Sequence, residues 1–191
     1  MIKLKIALIV YNGMTMLDFI GFYDPITRIK TMGFDSNLSW DICSYSADVM
    51  DNNGLKVIPD KIKEPLSDYN MIFVPGGFGS REIVNDTGFM KWIKSSLDCE
   101  YKVSVCTGSL ILGKAGFLKD KWATTHPNAF SELENYCEVL DDRIVDDNYV
   151  ITARGVTSSI NLGLYICEKL YGTETRKKIQ KQIDYPYFKR G

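Results

Sequence analysis

Histidine is almost missing: His126 is the only one in 191 residues. That excludes a histidine-rich metal site and leaves His126 or a carboxylate for any base-assisted chemistry. Cysteine is present, but not in the patterns that build structure. Cys43, Cys99, Cys106, Cys137 and Cys167 are odd in number, widely spaced and form no Cys-x-x-Cys pair. Neither a disulfide framework nor a zinc cluster is expected, and a reducing cytoplasm is the natural home. No metal or organic cofactor is expected. Charge of one sign is not in excess either. The 23 basic and 24 acidic side chains leave a net charge of −1, without the cationic surplus of a nucleic-acid binder. No apolar run approaches the ~20 residues of a membrane span. The opening, residues 1–10, lacks a small-residue cleavage site and reads as a buried strand, not a signal peptide.

What is present suits one α/β domain. The length matches an ordinary single domain, and roughly 70% of the unfolded chain's surface can be buried at this size. Ile6–Val10 and Met71–Val74 are short continuous apolar runs, as expected for strands covered on both faces. Leu38, Trp40 and Ile42 alternate with polar residues, the pattern of a strand with one exposed face. Asp51-Asn-Asn-Gly54 reads as a hairpin turn. A helix is expected from Asp24-Pro25, with the acid as N-cap and proline in the first turn, stopping at Gly33. Phe89, Trp92, Ile93 and Leu97 mark a second helix behind Asp86. Val103–Val105 is a strand running into Cys106-Thr-Gly108, followed by a helix closed by Gly116. Asp146-Asp-Asn148 parts two short strands. Val156, Ile160, Leu164 and Cys167 mark a last long helix ended by Gly172, and 173–191 forms a short helix plus an arm. Such alternation predicts a mostly parallel sheet, with ligands bound beyond the carboxyl ends of its strands. Tyr11 to Asp18, Pro75 to Gly79 and Cys106 to Gly108 should therefore converge on one rim.

Ser104-Val-Cys106-Thr-Gly108 has the form of a nucleophile elbow, with small residues flanking a sharp strand-to-helix turn. A thiol there faces the positive end of a helix, which is expected to lower its pKa; the alternative is one more small buried hydrophobe. Pro75-Gly-Gly77-Phe-Gly79 lacks the Lys-Ser/Thr of a phosphate loop and the spacing of a dinucleotide fold. It is either a plain turn or a place where the amides of Gly77 and Thr107 form an oxyanion-type hole beside the sulfur. Asp18 sits among apolar residues. Turned into the crevice, its pKa would be raised by those surroundings and by an anionic sulfur; the usual alternative is an N-cap or surface aspartate. His126 is a turn residue before proline or a second polar group on the rim. Arg154, at the start of the last helix, is a substrate or interface cation or an exposed arginine without a task.

Gly13-Met-Thr-Met-Leu-Asp18-Phe-Ile-Gly21, Val74-Pro-Gly76-Gly77, Cys106-Thr-Gly-Ser-Leu-Ile-Leu-Gly113, Ala123-Thr-Thr-His126 and residues 151–160 together resemble the ThiJ/PfpI superfamily. The resemblance spans residues 3–172. It implies a class I glutamine amidotransferase-like domain with a flavodoxin-like three-layer sandwich, followed by the 173–191 arm. The most similar branch is isonitrile hydratase, together with the sensor domains of AraC-type regulators. By that resemblance Cys106 matches the nucleophile and Asp18 the acid bonded to it. Gly77 and Thr107 match the backbone donors, with His126, Gly76 and Arg154 accessory. The implied reaction converts an isonitrile into an N-substituted formamide through a Cys106 thioimidate, with Asp18 as proton donor. A homodimer acting on a small molecule, without nucleic acid or membrane, is also implied. A glyoxalase, deglycase or amidase-type thiol enzyme, a ligand sensor without a DNA-binding domain, and a redox sensor remain alternatives. Arg154 and Asn161 depart from the family pattern, which has glycine and aspartate there, and Gly21-Phe22-Tyr23 replaces a common Gly-Pro.

Overall fold

The strand β1 (Lys5–Val10) lies inside a seven-stranded sheet and is buried along nearly its whole length. The computed structural model describes residues 4–188; the expected first strand and the arm extend beyond these bounds at 1–3 and 189–191. After β1 come α1 (Met16–Thr31), β2 (Ser39–Ser44), β3 (Val49–Met50), β4 (Lys56–Val57), β5 (Lys61–Ile62) and β6 (Met71–Val74). Then follow α2 (Ser80–Ile83), α3 (Thr87–Lys94), β7 (Tyr101–Val105), α4 (Gly108–Ala115), β8 (Trp122–Ala123) and a 3-10 turn at Pro127–Ala129. The chain continues with α5 (Phe130–Leu133), β9 (Glu138–Val139), β10 (Ile144–Asp147), β11 (Val150–Ala153), α6 (Ser158–Tyr171) and α7 (Thr173–Gln182).

The sheet runs β10-β11-β7-β6-β1-β2-β5. Only β10 is antiparallel to its neighbour. From β1 the chain steps one way to β2 and then returns to the other side for β6, β7 and β11. Right-handed crossovers therefore put α1 on one face and α3 and α4 on the other. The packing follows: α1, α6 and α7 form one layer, while α4 gathers α2, α3 and α5 in the other. This is the mostly parallel three-layer α/β fold expected. Its core is well filled: Phe22 of α1 stacks on Phe73 of β6 with ring centroids 3.9 Å apart. Burying each such side chain contributes about 1.5–3 kcal/mol.

Three expectations need correction. The first helix starts at Met16, not Asp24. Asp24 lies mid-helix and takes Arg28 in an ion pair (Nε to Oδ2, 2.8 Å). Pro25 is carried inside the helix, where a proline costs about 3 kcal/mol. Tertiary packing outweighs this, because Phe19, Phe22, Pro25, Ile26 and Ile29 are all buried and Ser159 Oγ of α6 donates to the Leu17 carbonyl at 3.1 Å. Gly33, with φ +79°, follows the helix as expected. The second helix stops at Lys94, leaving Leu97 67% exposed. Ser95 and Ser96 turn their hydroxyls back to the carbonyls of Trp92 and Ile93, offering the chain an alternative to further helical bonds. Finally, β2 lacks a clean exposed face. Trp40, Asp41 and Ile42 are all half-buried, with Tyr23 edge-on to Trp40 and Tyr69 donating to Asp41 at 2.7 Å.

The hairpin at Asp51–Gly54 pairs β3 with β4 antiparallel. The turn around Asn148, φ +64°, joins β10 to β11, and Gly116, φ +89°, closes α4. In the C-terminal segment Tyr185 donates to Asn161 Oδ1 of α6 at 2.6 Å. Asn161 thus ties the C-terminal segment to α6.

Candidate active site

Cys106 has φ +54°. A left-handed conformation is uncommon for a residue with a Cβ and persists only where the surroundings over-determine it. They do so here. The Cys106 N–H is shared between the carbonyls of Ala153 and Arg154, both at 2.9 Å. Its carbonyl accepts from Thr125 Oγ1 at 2.9 Å and Ser109 Oγ at 3.1 Å. The thiol is thus turned out of the β7 line at the start of α4. It remains only 6% exposed.

Asp18 reaches this sulfur from the first turn of α1, fully buried. Its Oδ2 accepts the Gly76 N–H at 2.9 Å, while Oδ1 is buried without a hydrogen bond of good geometry. Carboxyl and thiol perturb each other directly. Burial lifts Asp18 from the ordinary 3.8 to about 7, against the Gly76 N–H and a hydrogen bond from the Cys106 thiol, both of which pull it down. The rise was expected, but the sulfur acts the other way: its proton steadies the carboxylate. Cys106 overturns a second expectation. Burial first, and Asp18 next, push its thiol up to about 12, against the Thr107 N–H, which lowers it. The helix start acts in the expected direction and is outweighed. Of the two groups, the carboxyl gives up its proton first as pH rises.

The glycine loop is built for close approach. A Cβ on Gly76 would lie 2.6 Å from Thr107 N, 2.7 Å from Cys106 Cβ and 2.9 Å from Asp18 Oδ2. Gly77 has φ +136°, which L side chains rarely adopt, and its N–H donates to Thr107 Oγ1 at 3.0 Å. That hydrogen is thereby engaged in the resting state, whereas the Thr107 N–H faces the sulfur. His126 opens the 3-10 turn, its Nδ1 accepting from Asn128 N at 3.2 Å. Arg154 lies in the loop before α6, not on the helix. Its backbone buttresses Cys106 while its guanidinium pairs with Asp141 at 2.6 Å and covers Phe130. A pocket of about 330 Å³ opens over the thiol. Cys106, Thr107, Gly77 and His126 line it; Asp18, Gly76 and Arg154 do not. Among the described residues no group of His, Cys, Asp and Glu forms a metal site, and no helix is long and apolar enough to cross a membrane.

The family model for the DJ-1/PfpI family matches residues 4–169. The chain belongs to the DJ-1/PfpI family. Among curated DJ-1/PfpI relatives, an isonitrile hydratase from Pseudomonas putida is 31% identical over 95% of this chain and 78% of its own. The HTH-type transcriptional regulator CdhR from Pseudomonas aeruginosa is 27% identical over 90% of this chain, which spans 52% of the regulator. A ThiJ/PfpI family protein from Pseudomonas syringae superposes with a TM-score of 0.87 at 28% identity, over 100% of this chain and 78% of that one.

Two residues of this DJ-1/PfpI chain escaped the sequence reading. Tyr11, buried, donates to the Pro75 carbonyl at 2.8 Å and anchors the glycine loop to the end of β1. Its only sequence signal was an aromatic at a strand end, which reads equally well as a turn. Arg81, in α2, lines the pocket beside Cys106. Its position just past Gly79 gave no hint of which way the short helix would face. Val156, expected on the last helix, lies before it and also lines the pocket.

Proposed function

We propose that this protein is a cysteine-dependent lyase acting on small electrophilic molecules, most like an isonitrile hydratase, with Cys106 as nucleophile and Asp18 as its proton partner. What supports this reading is a thiol held in a left-handed turn on a pocket wall, beside a buried carboxyl that burial raises to about 7. Because the sulfur does not ionise alone, Asp18 takes the thiol proton as the sulfur–carbon bond forms at the terminal carbon of the isonitrile. That carbon gains an electron pair and receives the same proton, giving a thioimidate. Water then adds to this carbon while Asp18 accepts its proton. The carbon–sulfur bond breaks, Asp18 returns this proton to sulfur, water's second proton passes from oxygen to nitrogen, and an N-substituted formamide leaves. The Thr107 N–H supports the anionic sulfur at both stages.

Homodimerisation and a cytoplasmic setting, expected from the resemblance and the cysteine pattern, belong to this proposal. The five cysteines are free, and light scattering measures the oligomer. Incubation with a simple alkyl isonitrile should yield the formamide, read by NMR. Cys106→Ala should abolish product while the circular dichroism spectrum is retained. Formamide formed at the wild-type rate by that variant would end the proposal. A glyoxalase or amidase-type reading is favoured by one observation, that His126 lines the same pocket; His126→Ala would then remove turnover that the hydratase reading leaves in place. A sensing role draws on the similarity to CdhR, and would show as saturable ligand binding without product.

A further inference from the structure

The wall of the Cys106 pocket carries a single permanent charge. Among the described residues lining it, Arg81 is the one cation and no Asp or Glu is present. Elsewhere the wall is hydroxyl, amide, His126 and the apolar Phe78 and Val156. Arg81 is anchored from outside the pocket, where Glu132 of α5 takes its Nε at 2.8 Å and one terminal nitrogen at 2.6 Å. Its remaining nitrogen, Nη1, makes no hydrogen bond among the described residues. Both side chains are 39% exposed. The pair is bidentate but open to water, and Nη1 is left over, so an incoming carboxylate can share the guanidinium with Glu132. The geometry matches the fork by which arginine recognises carboxylates.

We propose that Arg81 is a specificity-determining residue which selects substrates carrying a carboxylate beside the electrophilic group. In the hydratase reading, on which this choice of substrate rests, the class is α-isocyano carboxylates. Arg81 and Cys106 line the same pocket of about 330 Å³, so one small molecule can touch both. Desolvated by the pocket, the anion would be turned so that its reactive carbon faces Cys106. A neutral analogue of the same shape lacks that handle.

The test separates this idea from the reaction itself. Alkylation of Cys106 by iodoacetate, an anion, and by iodoacetamide, its neutral counterpart, is followed by mass spectrometry in the wild type, Arg81→Gln and Glu132→Gln. The iodoacetate to iodoacetamide rate ratio should fall about tenfold in Arg81→Gln, the size of one hydrogen-bonded charge contact. In Glu132→Gln it should hold or rise, because the guanidinium is freed; this variant breaks the same ion pair and so controls for loss of structure. An Arg81→Gln ratio equal to the wild-type value would overturn the proposal. In turnover, Arg81→Gln should raise KM for isocyanoacetate about tenfold more than for its methyl ester. If no isonitrile is turned over yet the alkylation ratio still follows Arg81, the hydratase reading falls and anion selection stands. If formamide forms but the ratio ignores Arg81, the reverse holds.

Discussion

Asp18 and Cys106 meet across a single missing methyl group. Were Gly76 to carry a Cβ, that atom would lie 2.9 Å from Asp18 Oδ2 and 2.7 Å from Cys106 Cβ. In the proposed mechanism the proton passes between carboxyl and sulfur across this gap, which a side chain on Gly76 would fill. Gly76→Ala should push the two apart and also strain the Thr107 amide at 2.6 Å. We expect loss of nearly all turnover with a stability loss of about 1–3 kcal/mol, typical of overpacking. Paired urea melts and formamide assays would check both; full activity would show that the pair does not share a proton.

In the proposed mechanism the reactive form of the pair holds one proton, and that state forms as Asp18 ionises. With the carboxyl at about 7 and the thiol at about 12, kcat/KM should climb with pH through about 7 and then level off. The profile belongs to the coupled pair and not to either group alone. Asp18→Asn keeps an acceptor for the Gly76 N–H but cannot move a proton. It should lower the rate by about 10² to 10⁴, the usual worth of positioned acid–base catalysis, and flatten the climb near 7. An undisturbed profile in that variant would remove Asp18 from the mechanism.

The same carboxyl links pH to folding. Its proton is held more tightly in the folded chain than in the unfolded one, so its stabilising contribution is full below the ordinary value of 3.8 and is lost as pH rises to about 7. Linkage puts the change at roughly 4 kcal/mol for a shift of this size. The difference in unfolding free energy between the wild type and Asp18→Asn should therefore shift steadily across that window, in favour of the variant as pH rises. A constant difference from pH 4 to 8 would contradict the burial assigned to Asp18.

Cys106 sits in a backbone conformation suited to glycine. The left-handed region costs an ordinary residue about 1–2 kcal/mol, which Cys106→Gly would release and Cys106→Ala would not. Neither variant should turn over substrate, but the glycine variant should unfold at the higher urea midpoint with an unchanged slope. Equal midpoints would mean that the turn carries no strain.

The elbow was legible because its chemistry is local: small residues on both sides of Cys106, a strand before it and Gly116 closing the helix after it. The convergence of three loops was legible from strand order and the rule for parallel sheets. The start of α1 was not, since Asp24-Pro25 carries a strong local signal for a helix start and only the packing of Phe22 and Pro25 against α6 overrides it. The direction of the Cys106 shift was hidden for a similar reason. A helix start pulls a thiol down, and its surroundings here, assembled from β1, β6 and α1, push it up further. Arg81 escaped because a charge on a short helix shows its worth only once α5 brings Glu132 to meet it.

Asp18 follows the strand from which the chain first turns toward one edge of the sheet; Gly76 and Cys106 follow strands laid down toward the other. Their helices lie on opposite faces. In the proposed mechanism the two groups meet only when β1, which precedes Asp18, has paired with β6, which carries the loop between them. On that reading, reactivity of this one thiol would report that the β1–β6 seam has closed.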